Sequence, residues 1–380
     1  MTQDPAAPKP LFRADQVGSL LRPAALREAR ALRAAGEIDA AELQRIEDAA
    51  IEALVARQVA LGLRAVTDGE LRRESWIFDF FAALPGIKVV TRNVTPVAHG
   101  GAAPGGGRPM KVPIVVDKLA FGAHPLVEHF RFLKTHTQAV AKMTIPCPTM
   151  LISASRDWRD IVDRSVYPRI EDFYADLSAT YRTALRALYG AGCRYLQLDD
   201  VNLAFLCDAD MRAKLAARGD PPEQVLNTWI GILRETLAGR PPDMTISTHI
   251  CRGNFRSSWM AQGGYEAVAD ALFNQLDYDA YFLEYDSDRA GGFEPLRFLP
   301  RGPKRVVLGL ITTKSGELES PDSIKRRIET ATKYVSLDQL ALSPQCGFAS
   351  TEEGNLLTEE EQWAKLGEVV EVARSVWRDS

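Results

Sequence analysis

The chain has 380 residues, of which 46% are hydrophobic and 25% charged, and its formal net charge is −4. This balance argues against a nucleic-acid partner and against an anionic membrane surface as a partner. No apolar run reaches membrane-spanning length, and the N-terminus lacks the apolar core of a signal peptide. Five cysteines are too few and too scattered for a disulfide framework, so we expect a reducing, cytoplasmic location with thiols free to bind metal.

Predicted strands and helices alternate along the chain after a polar, proline-rich stretch, residues 1–10, that we expect to be a disordered tail. Strands are predicted at 13–21, 63–67, 149–153, 194–198, 244–249, 280–284, 305–311 and 339–343. Helices are predicted from Pro23 onward and at 40–61, 125–143, 171–189, 221–237, 259–273, 321–335 and 358–376. Alternation of this kind indicates parallel strands with right-handed crossovers, and eight units favour a closed barrel over an open sheet. The predicted fold is α/β, a single (β/α)8 TIM-barrel catalytic domain over residues 11–380.

An insertion interrupts this alternation after the second predicted strand. Residues 87–119 have the composition of a β-hairpin, and their middle part, 99–109, is rich in glycine. No Lys-Ser/Thr follows the glycines, and no strand-to-helix context surrounds them. A flexible hairpin loop is therefore favoured over a phosphate-binding loop.

His249 and Cys251 lie at the end of the predicted fifth strand. Residues i and i+2 of an extended chain point the same way, so an imidazole and a thiolate can share one metal ion there. The pair alone is weak evidence, because buried histidines and core cysteines are common. Glu284 ends the sixth strand, and Cys346 follows the eighth. One His, two Cys and one Glu at strand ends form a ligand set that suits zinc.

Further polar residues follow other predicted strands at the same, carboxyl-terminal rim, where barrel enzymes build their sites. Ligands that come from three separate strands favour a catalytic zinc over a compact structural one. Two thiolates donate charge to zinc, which then activates water poorly but can hold a substrate thiol as a reactive thiolate. Glu284, the hardest ligand, is expected to be the one that gives up its position on zinc to the substrate thiolate. The remaining rim residues are Gly18, Ser19, Glu70, Asp199, Asp200 and Lys314.

Two of these acids suit an amino-acid substrate. Glu70 and Asp199 are positioned to bind an ammonium group, and the backbone N–H groups at Gly18 and Ser19 are positioned to bind a carboxylate. Each acid has a structural alternative as a solvated loop residue, and Asp199 and Asp200 also as a helix cap. Spacing alone does not separate the two interpretations.

These motifs together resemble the C-terminal catalytic barrel of cobalamin-independent methionine synthase, and still more the short, single-barrel homologues of that enzyme. The resemblance extends from residues 12–19 to residues 343–348. It implies transfer of a methyl group to the sulfur of homocysteine, giving methionine. It also implies Glu284, Lys314 and Asp199 as catalytic residues. The implied zinc ligands are His249, Cys251, Glu284 and Cys346, and the implied homocysteine contacts are Gly18, Ser19, Glu70 and Asp199.

The chain departs from the family pattern on the side of the methyl donor. It has no counterpart of the N-terminal barrel that helps to bind folate. The family tryptophan at the third strand is missing from residues 152–155, and Trp158 follows a little later. Lys314 stands where the family has a histidine linked to proton delivery. The donor is thus left open between a folate, a methylated corrinoid protein and another electrophile, and a homo-oligomer is also left open.

Two other functions remain open from the sequence. The first is a zinc-dependent alkyltransferase that adds another thiol, coenzyme M, to an epoxide, because five arginines lie near the predicted rim and could bind a sulfonate. The second is a zinc-binding barrel without catalytic activity. A metal-free decarboxylase is disfavoured by the ligand set. The arginines are Arg13, Arg72, Arg73, Arg156 and Arg252.

Overall fold

A computed structural model describes residues 9–94 and 108–377 of the chain. Residues 99–107 of the glycine-rich part of the predicted insertion and most of the predicted tail lie outside these ranges. None of the helices in the described part combines the length and the apolar character that a membrane crossing needs. The helices are α1 Ala24–Ala35, α2 Ala40–Leu61, α3 Phe78–Ala82, α4 Pro125–Thr135, α5 Ile170–Gly190, α6 Asn202–Cys207, α7 Ala209–Ala217, α8 Pro222–Leu237, α9 Glu266–Gln275, α10 Pro321–Ala331 and α11 Glu359–Val376.

A parallel sheet of seven strands curls through the centre of the described chain, in the order β1-β4-β5-β6-β7-β8-β9. Ala14 extends it with a parallel bridge to Leu342 on the last strand, and Leu20 N–H donates to the Gly69 carbonyl beyond the first strand. The N-terminal segment therefore lies between the two edge strands, and the predicted TIM barrel is confirmed. The strands are β1 Ala65–Val66, β4 Val140–Pro146, β5 Tyr195–Asp200, β6 Thr245–Ile250, β7 Ala280–Glu284, β8 Arg305–Ile311 and β9 Leu340–Pro344, with β2 Ile87–Val94 and β3 Arg108–Val115 outside the barrel.

The barrel strands are buried on both faces, as parallel strands covered by helices must be. Every residue of β5, β6, β7 and β9 is buried. Helix α5 packs on this sheet with an apolar stripe that includes Phe173, Leu177 and Leu185, at helical spacing. The Asp39 side chain caps α2 by accepting from the Glu42 N–H, and Gly62 ends that helix in a left-handed turn.

The predicted insertion is an antiparallel hairpin that follows the second barrel strand. Strand β2 pairs with β3 over their whole length, from Ile87 opposite Val115 to Val94 opposite Arg108. The base of the hairpin is fixed to the barrel because Val115 N–H donates to the Ile161 carbonyl at 2.8 Å.

Two predicted strands differ from the observed ones. The third barrel strand is β4, which begins inside the stretch predicted to be helical, 125–143, and ends beyond it, whereas the predicted strand at 149–153 forms a 3₁₀ helix at Pro148–Ile152. Pro148 starts this helix, as proline favours a first helical turn. The buried Lys142 hides the apolar pattern of the true strand. The first predicted strand makes a single bridge, at Ala14, in place of a ladder.

A charged pair lies inside the barrel, at the end opposite the predicted rim. Lys142 Nζ donates to the Gln16 carbonyl at 2.5 Å and to Asp15 Oδ1 at 3.2 Å. Tyr195 O–H donates to Asp15 Oδ2 at 2.6 Å. The ammonium also lies 4.0 Å from the centre of the Phe282 ring. Because both charges are removed from water, each depends on the other for compensation.

The last two residues of the predicted tail, unlike residues 1–8, are described by the structure, and both contact the barrel. Lys9 Nζ forms an ion pair with Asp279 at 2.8 Å, and the Pro10 carbonyl accepts a hydrogen bond from Thr245 Oγ1 at 3.0 Å. Residues 9 and 10 are therefore held against the barrel.

Candidate metal centre

The structure brings together the four side chains predicted as metal ligands. His249 lies near the end of β6, Cys251 directly after that strand, Glu284 at the last position of β7, and Cys346 just past β9. One nitrogen, oxygen or sulfur atom from each lies within 4.8 Å of those from the other three, and all four residues are buried. The two sulfur atoms are 3.5 Å apart, and both cysteines are free thiols.

The environment of His249 fits a metal ion. The residue is 2% exposed, and neither ring nitrogen has a hydrogen-bond partner. A buried imidazole without partners is costly, and coordination of a metal removes that cost. Tetrahedral zinc with its usual bond lengths places its ligand atoms about 3.3–3.8 Å apart. The observed cluster needs only small side-chain movements to reach that spacing.

The two thiols are electrostatically unequal. A hydrogen bond from Cys346 lowers the pKa of Cys251 to about 5, against the opposing effect of burial. The same hydrogen bond, together with burial, raises the pKa of Cys346 well above its ordinary value. The electrostatics of the pair therefore favour one thiolate and one thiol, and a divalent cation would displace the remaining proton.

Glu284 is held as a charged carboxylate. Its Oε1 accepts from the Arg252 backbone N–H at 2.7 Å, and its Oε2 accepts from Arg289 Nη2 at 3.0 Å. Burial raises the pKa of Glu284, but the positive charges of Lys314 and Arg289 outweigh it, and the pKa lies below its ordinary value. The Glu284 backbone is fixed as well, since its N–H donates to the Tyr265 hydroxyl at 2.9 Å.

Glu70 and Asp199 lie in the barrel mouth near this cluster. Glu70 has left-handed backbone geometry, with φ of 57°. Its Oε1 accepts from Thr144 Oγ1 at 2.7 Å, while its buried Oε2 has no partner. Burial raises the pKa of Asp199 to about 7, His249 opposes that shift, and the negative charge of Glu70 adds to it. Two buried acids that act on each other in this way fit a bound cation such as an ammonium group.

Gly18 and Ser19 lie against the loop that carries Cys346. Gly18 has φ of 146°, and a Cβ there would lie 2.6 Å from Thr144 Cγ2, so no other residue fits. The Ser19 carbonyl accepts from the Phe348 N–H at 2.9 Å, and the Ser19 hydroxyl fills the space beside Gly347. The segment predicted to bind a carboxylate is thus adjacent to a predicted metal ligand.

Lys314 faces the cluster from the loop after β8. Its Nζ donates to Asn254 Oδ1 at 3.4 Å, and Asn254 Nδ2 donates to the Gly347 carbonyl at 3.1 Å. The positive charge of Lys314 helps to lower the pKa of Glu284 and opposes the upward shift of the Cys346 pKa. Lys314 is therefore placed to act on charge at the centre.

The loop after β8 is attached to the last helix. Glu319 Oε1 accepts from the Thr312 N–H at 2.7 Å, and its Oε2 forms an ion pair with Lys365 at 3.1 Å. Glu368 lies next to this pair on α11, and its Oε2 has no hydrogen-bond partner. Burial raises the pKa of Glu368 from 4.5 to about 7, and the charge of Glu319 adds to the shift.

The protonation of Glu368 predicts a pH dependence of stability. The folded protein keeps a proton that the unfolded chain releases, so stability falls as pH rises from 4.5 to about 7. Glu368→Gln has no proton to release, and we expect it to flatten this fall and to raise the Tm at about pH 8. Thermal unfolding between about pH 5 and pH 8 measures the effect. Glu235→Gln, at an exposed position of α8, is the control; an unaltered slope in Glu368→Gln would contradict the shift.

Several residues around the metal cluster could not be identified as site residues from the sequence. Arg289 and Tyr265 hold Glu284, Asn254 links Lys314 to the loop of Cys346, and Thr144 supports Glu70. Polar residues of these types are common in loops and strand ends. Their roles depend on tertiary contacts that sequence spacing does not encode.

The five arginines proposed as a sulfonate site do not form one. Arg13 lies at the opposite end of the barrel, where its Nη1 donates to the carbonyl of Leu340, the first residue of β9. Three of the others are engaged by neighbouring groups: Arg72 by Glu47 and Asp48, Arg73 by Glu70 and the Thr144 carbonyl, and Arg156 by the Met150 carbonyl. The Arg252 guanidinium lies 4.7 Å from the centre of the Tyr265 ring, and none of its three nitrogens has a hydrogen-bond partner. The prediction that these arginines line the rim together was wrong for Arg13.

Comparison with known proteins places this geometry in a family. The chain is 46% identical over 368 residues to the uncharacterized protein YxjH of Bacillus subtilis, covering 97% of this chain and 95% of that one. It is 38% identical to the solved structure of a putative vitamin-B12 independent methionine synthase from Listeria monocytogenes, with a TM-score of 0.77 and coverage of 98% and 99%. A B12-independent methionine synthase from Shewanella sp. W3-18-1, solved with selenomethionine, has the same fold at 20% identity, with a TM-score of 0.71 and coverage of 97% and 99%. The model of the family described as "Cobalamin-independent synthase, Catalytic domain" matches residues 12–375, and the chain belongs to that family.

Proposed function

We propose that the protein is a zinc-dependent thiol methyltransferase that methylates homocysteine to methionine. The observation that carries this proposal is the cluster of His249, Cys251, Glu284 and Cys346 in a chain of the cobalamin-independent synthase family. A ligand set with two thiolates favours holding a further sulfur over activating water. When bound, zinc would supply the positive charge that lowers the pKa of the substrate thiol.

The chain's own residues orient the amino-acid part of the substrate. Glu70 Oε2 and Asp199 offer negative charge in the buried mouth, where an ammonium group would satisfy both. The Gly18–Ser19 segment lies against the loop of Cys346, and its N–H groups would receive the carboxylate. Lys314 would stabilise negative charge that develops on the donor as the methyl group leaves.

The donor in this proposal is a methylated folate or another small methyl-bearing electrophile. The matched family is described as cobalamin-independent, which gives no support to the corrinoid protein that the sequence left open. Trp158, in a 3₁₀ helix at Trp158–Asp160, lies under the guanidinium groups of Arg159 and Arg164. Nothing in those contacts assigns it to a pterin.

X-ray absorption at the zinc edge tests the acceptor. We expect the zinc-loaded protein to gain one sulfur neighbour and to lose one oxygen neighbour when L-homocysteine is added. Calorimetric titration with homocysteine and with coenzyme M runs in parallel. If coenzyme M binds more tightly than homocysteine and releases a proton, homocysteine is not the acceptor, and the alkyltransferase hypothesis is favoured.

A substitution of Glu284 tests its assignment as the exchangeable ligand. We expect Glu284→Gln to retain much of its zinc, because one His and two Cys remain, and to lose most of its methyl-transfer activity. Metal analysis and initial rates on the same preparation measure both. Complete loss of zinc from a folded variant would instead make Glu284 a fixed ligand.

A further inference from the structure

Two hydrogen-bond donors outside the metal cluster hold the Glu284 carboxylate. Its carboxylate accepts one hydrogen bond on each oxygen, from Arg252 N–H at 2.7 Å and from Arg289 Nη2 at 3.0 Å. The side chain has no exposed surface. A carboxylate that left a metal inside this dry site without such donors would be a buried, unpaired charge, which proteins avoid.

Arg289 is itself fixed in place before any exchange occurs. Its Nη2 also pairs with Asp286 at 2.6 Å, and its Nη1 donates to Ser287 Oγ at 2.9 Å. The guanidinium lies 5.0 Å from the centre of the Trp259 ring. The Arg289 carbonyl accepts from the Gly263 N–H at 2.8 Å. The contacts with Ser287, Trp259 and Gly263, which do not involve Asp286, hold Arg289 towards Glu284 and away from solvent.

We propose that Arg289 is a positioning residue that receives the Glu284 carboxylate when a substrate thiol takes its place at the metal. The inference rests on the proposed function, because it needs a thiol that enters the metal's coordination shell. In the exchange the bond from metal to carboxylate oxygen breaks, a bond from metal to sulfur forms, and the thiol proton passes to solvent. The displaced carboxylate stays charged, paired with Arg289 and with the Arg252 N–H.

Asp286 allows the proposal to be tested in both directions, because its carboxylate and that of Glu284 accept from the same nitrogen of Arg289. Removing the guanidinium leaves the displaced carboxylate without its cation and should oppose exchange. Removing the charge of Asp286 leaves Arg289 to Glu284 alone and should favour exchange. Substitutions at the two positions are therefore expected to shift thiol binding in opposite directions. Simple loosening of the loop would shift both the same way.

The experiment measures thiol binding to zinc-loaded protein by calorimetry and the zinc neighbours by X-ray absorption, with L-homocysteine as the probe. We expect Arg289→Met to bind the thiol roughly tenfold to hundredfold more weakly and to keep its oxygen neighbour at thiol concentrations that convert the wild type. We expect Asp286→Asn to bind it roughly threefold to tenfold more tightly. Arg289→Lys, which keeps the charge and loses the forked geometry, should fall between Arg289→Met and the wild type.

The outcomes distinguish a failure of the role proposed for Arg289 from a failure of the proposed function. If wild-type zinc gains no sulfur from homocysteine or from coenzyme M, the proposed thiol chemistry fails. If the wild type gains sulfur and Arg289→Met gains it with the same affinity, only the positioning role fails. Equal weakening in Arg289→Met and Asp286→Asn also overturns that role. Should Arg289→Met not fold, as judged by circular dichroism, Arg289→Lys takes its place with a smaller shift in the same direction.

Discussion

Cys346→Ser is expected to abolish tight zinc binding and to lower methyl transfer by more than about a hundredfold. Loss of residues that only support metal ligands already costs about 10–100-fold, and Cys346 is placed as a ligand. Serine is a poor zinc ligand at neutral pH because its hydroxyl stays protonated, whereas zinc binds a cysteine as the thiolate. Zinc content of the purified protein, with initial rates, measures the effect. The wild type should carry about one zinc per chain.

Cys193→Ser is the matched control for this substitution. Cys193 is also fully buried, but its thiol donates to the Tyr195 carbonyl at 3.3 Å, a bond that a serine hydroxyl can replace. We expect that variant to keep its zinc and its activity. A Cys346→Ser protein with a full complement of zinc would remove this residue from the ligand set. A wild-type protein free of metal would favour the barrel without catalytic activity.

Lys142→Met is expected to cost about 3–5 kcal/mol of folding free energy. The ammonium is wholly buried and pairs with Asp15, which is 1% exposed. Methionine fills a similar volume but leaves the Asp15 carboxylate with the Tyr195 O–H and the Gln16 N–H as its partners. Breaking a buried pair from one side leaves an uncompensated charge, whereas removing both charges is far less costly. Asp15→Asn added to Lys142→Met should therefore recover part of the loss.

Urea unfolding measures these changes, with Lys111→Met as the matched control. Lys111 also pairs with an acid, Glu74, but the two side chains are 60% and 58% exposed. Surface pairs contribute about 0–1 kcal/mol, so the same substitution there should change little. An equally small change for Lys142→Met would contradict the view that the Lys142–Asp15 pair stabilises the end of the barrel opposite the predicted rim.

The four proposed ligands could be predicted because their signals are local. His249 and Cys251 follow a β-leaning run at alternate positions, and Glu284 and Cys346 end or follow apolar runs of strand length. In a parallel barrel the ends of such runs meet at one rim, so chain order translates into proximity. Ligand chemistry then limits which residue types are relevant. The prediction needed no knowledge of how the side chains pack.

The parts that could not be predicted depend on packing. Strand β4 carries a lysine inside the barrel, and its pattern therefore does not read as a buried strand; only Asp15 and Tyr195, distant in sequence, make that lysine tolerable. The error also moved the expected site of the family tryptophan past the true strand end, Pro146. Arg289 follows Glu284 in a loop whose path is set by a short 3₁₀ turn, Asp288–Ala290. Nothing in its spacing indicates that it reaches back to the carboxylate.

The bridge between Ala14 and Leu342 sets the order in which a newly synthesised chain can mature. The segment around Ala14 leaves the ribosome early, but its partner strand emerges roughly 15–65 s later at typical rates of translation. Cys346 emerges later still, just after that strand. A growing chain therefore exposes His249 and Cys251 before Cys346 has been synthesised, so the four-residue cluster cannot yet be complete. The proposed ion can therefore be bound by all four side chains only after Cys346 has been synthesised.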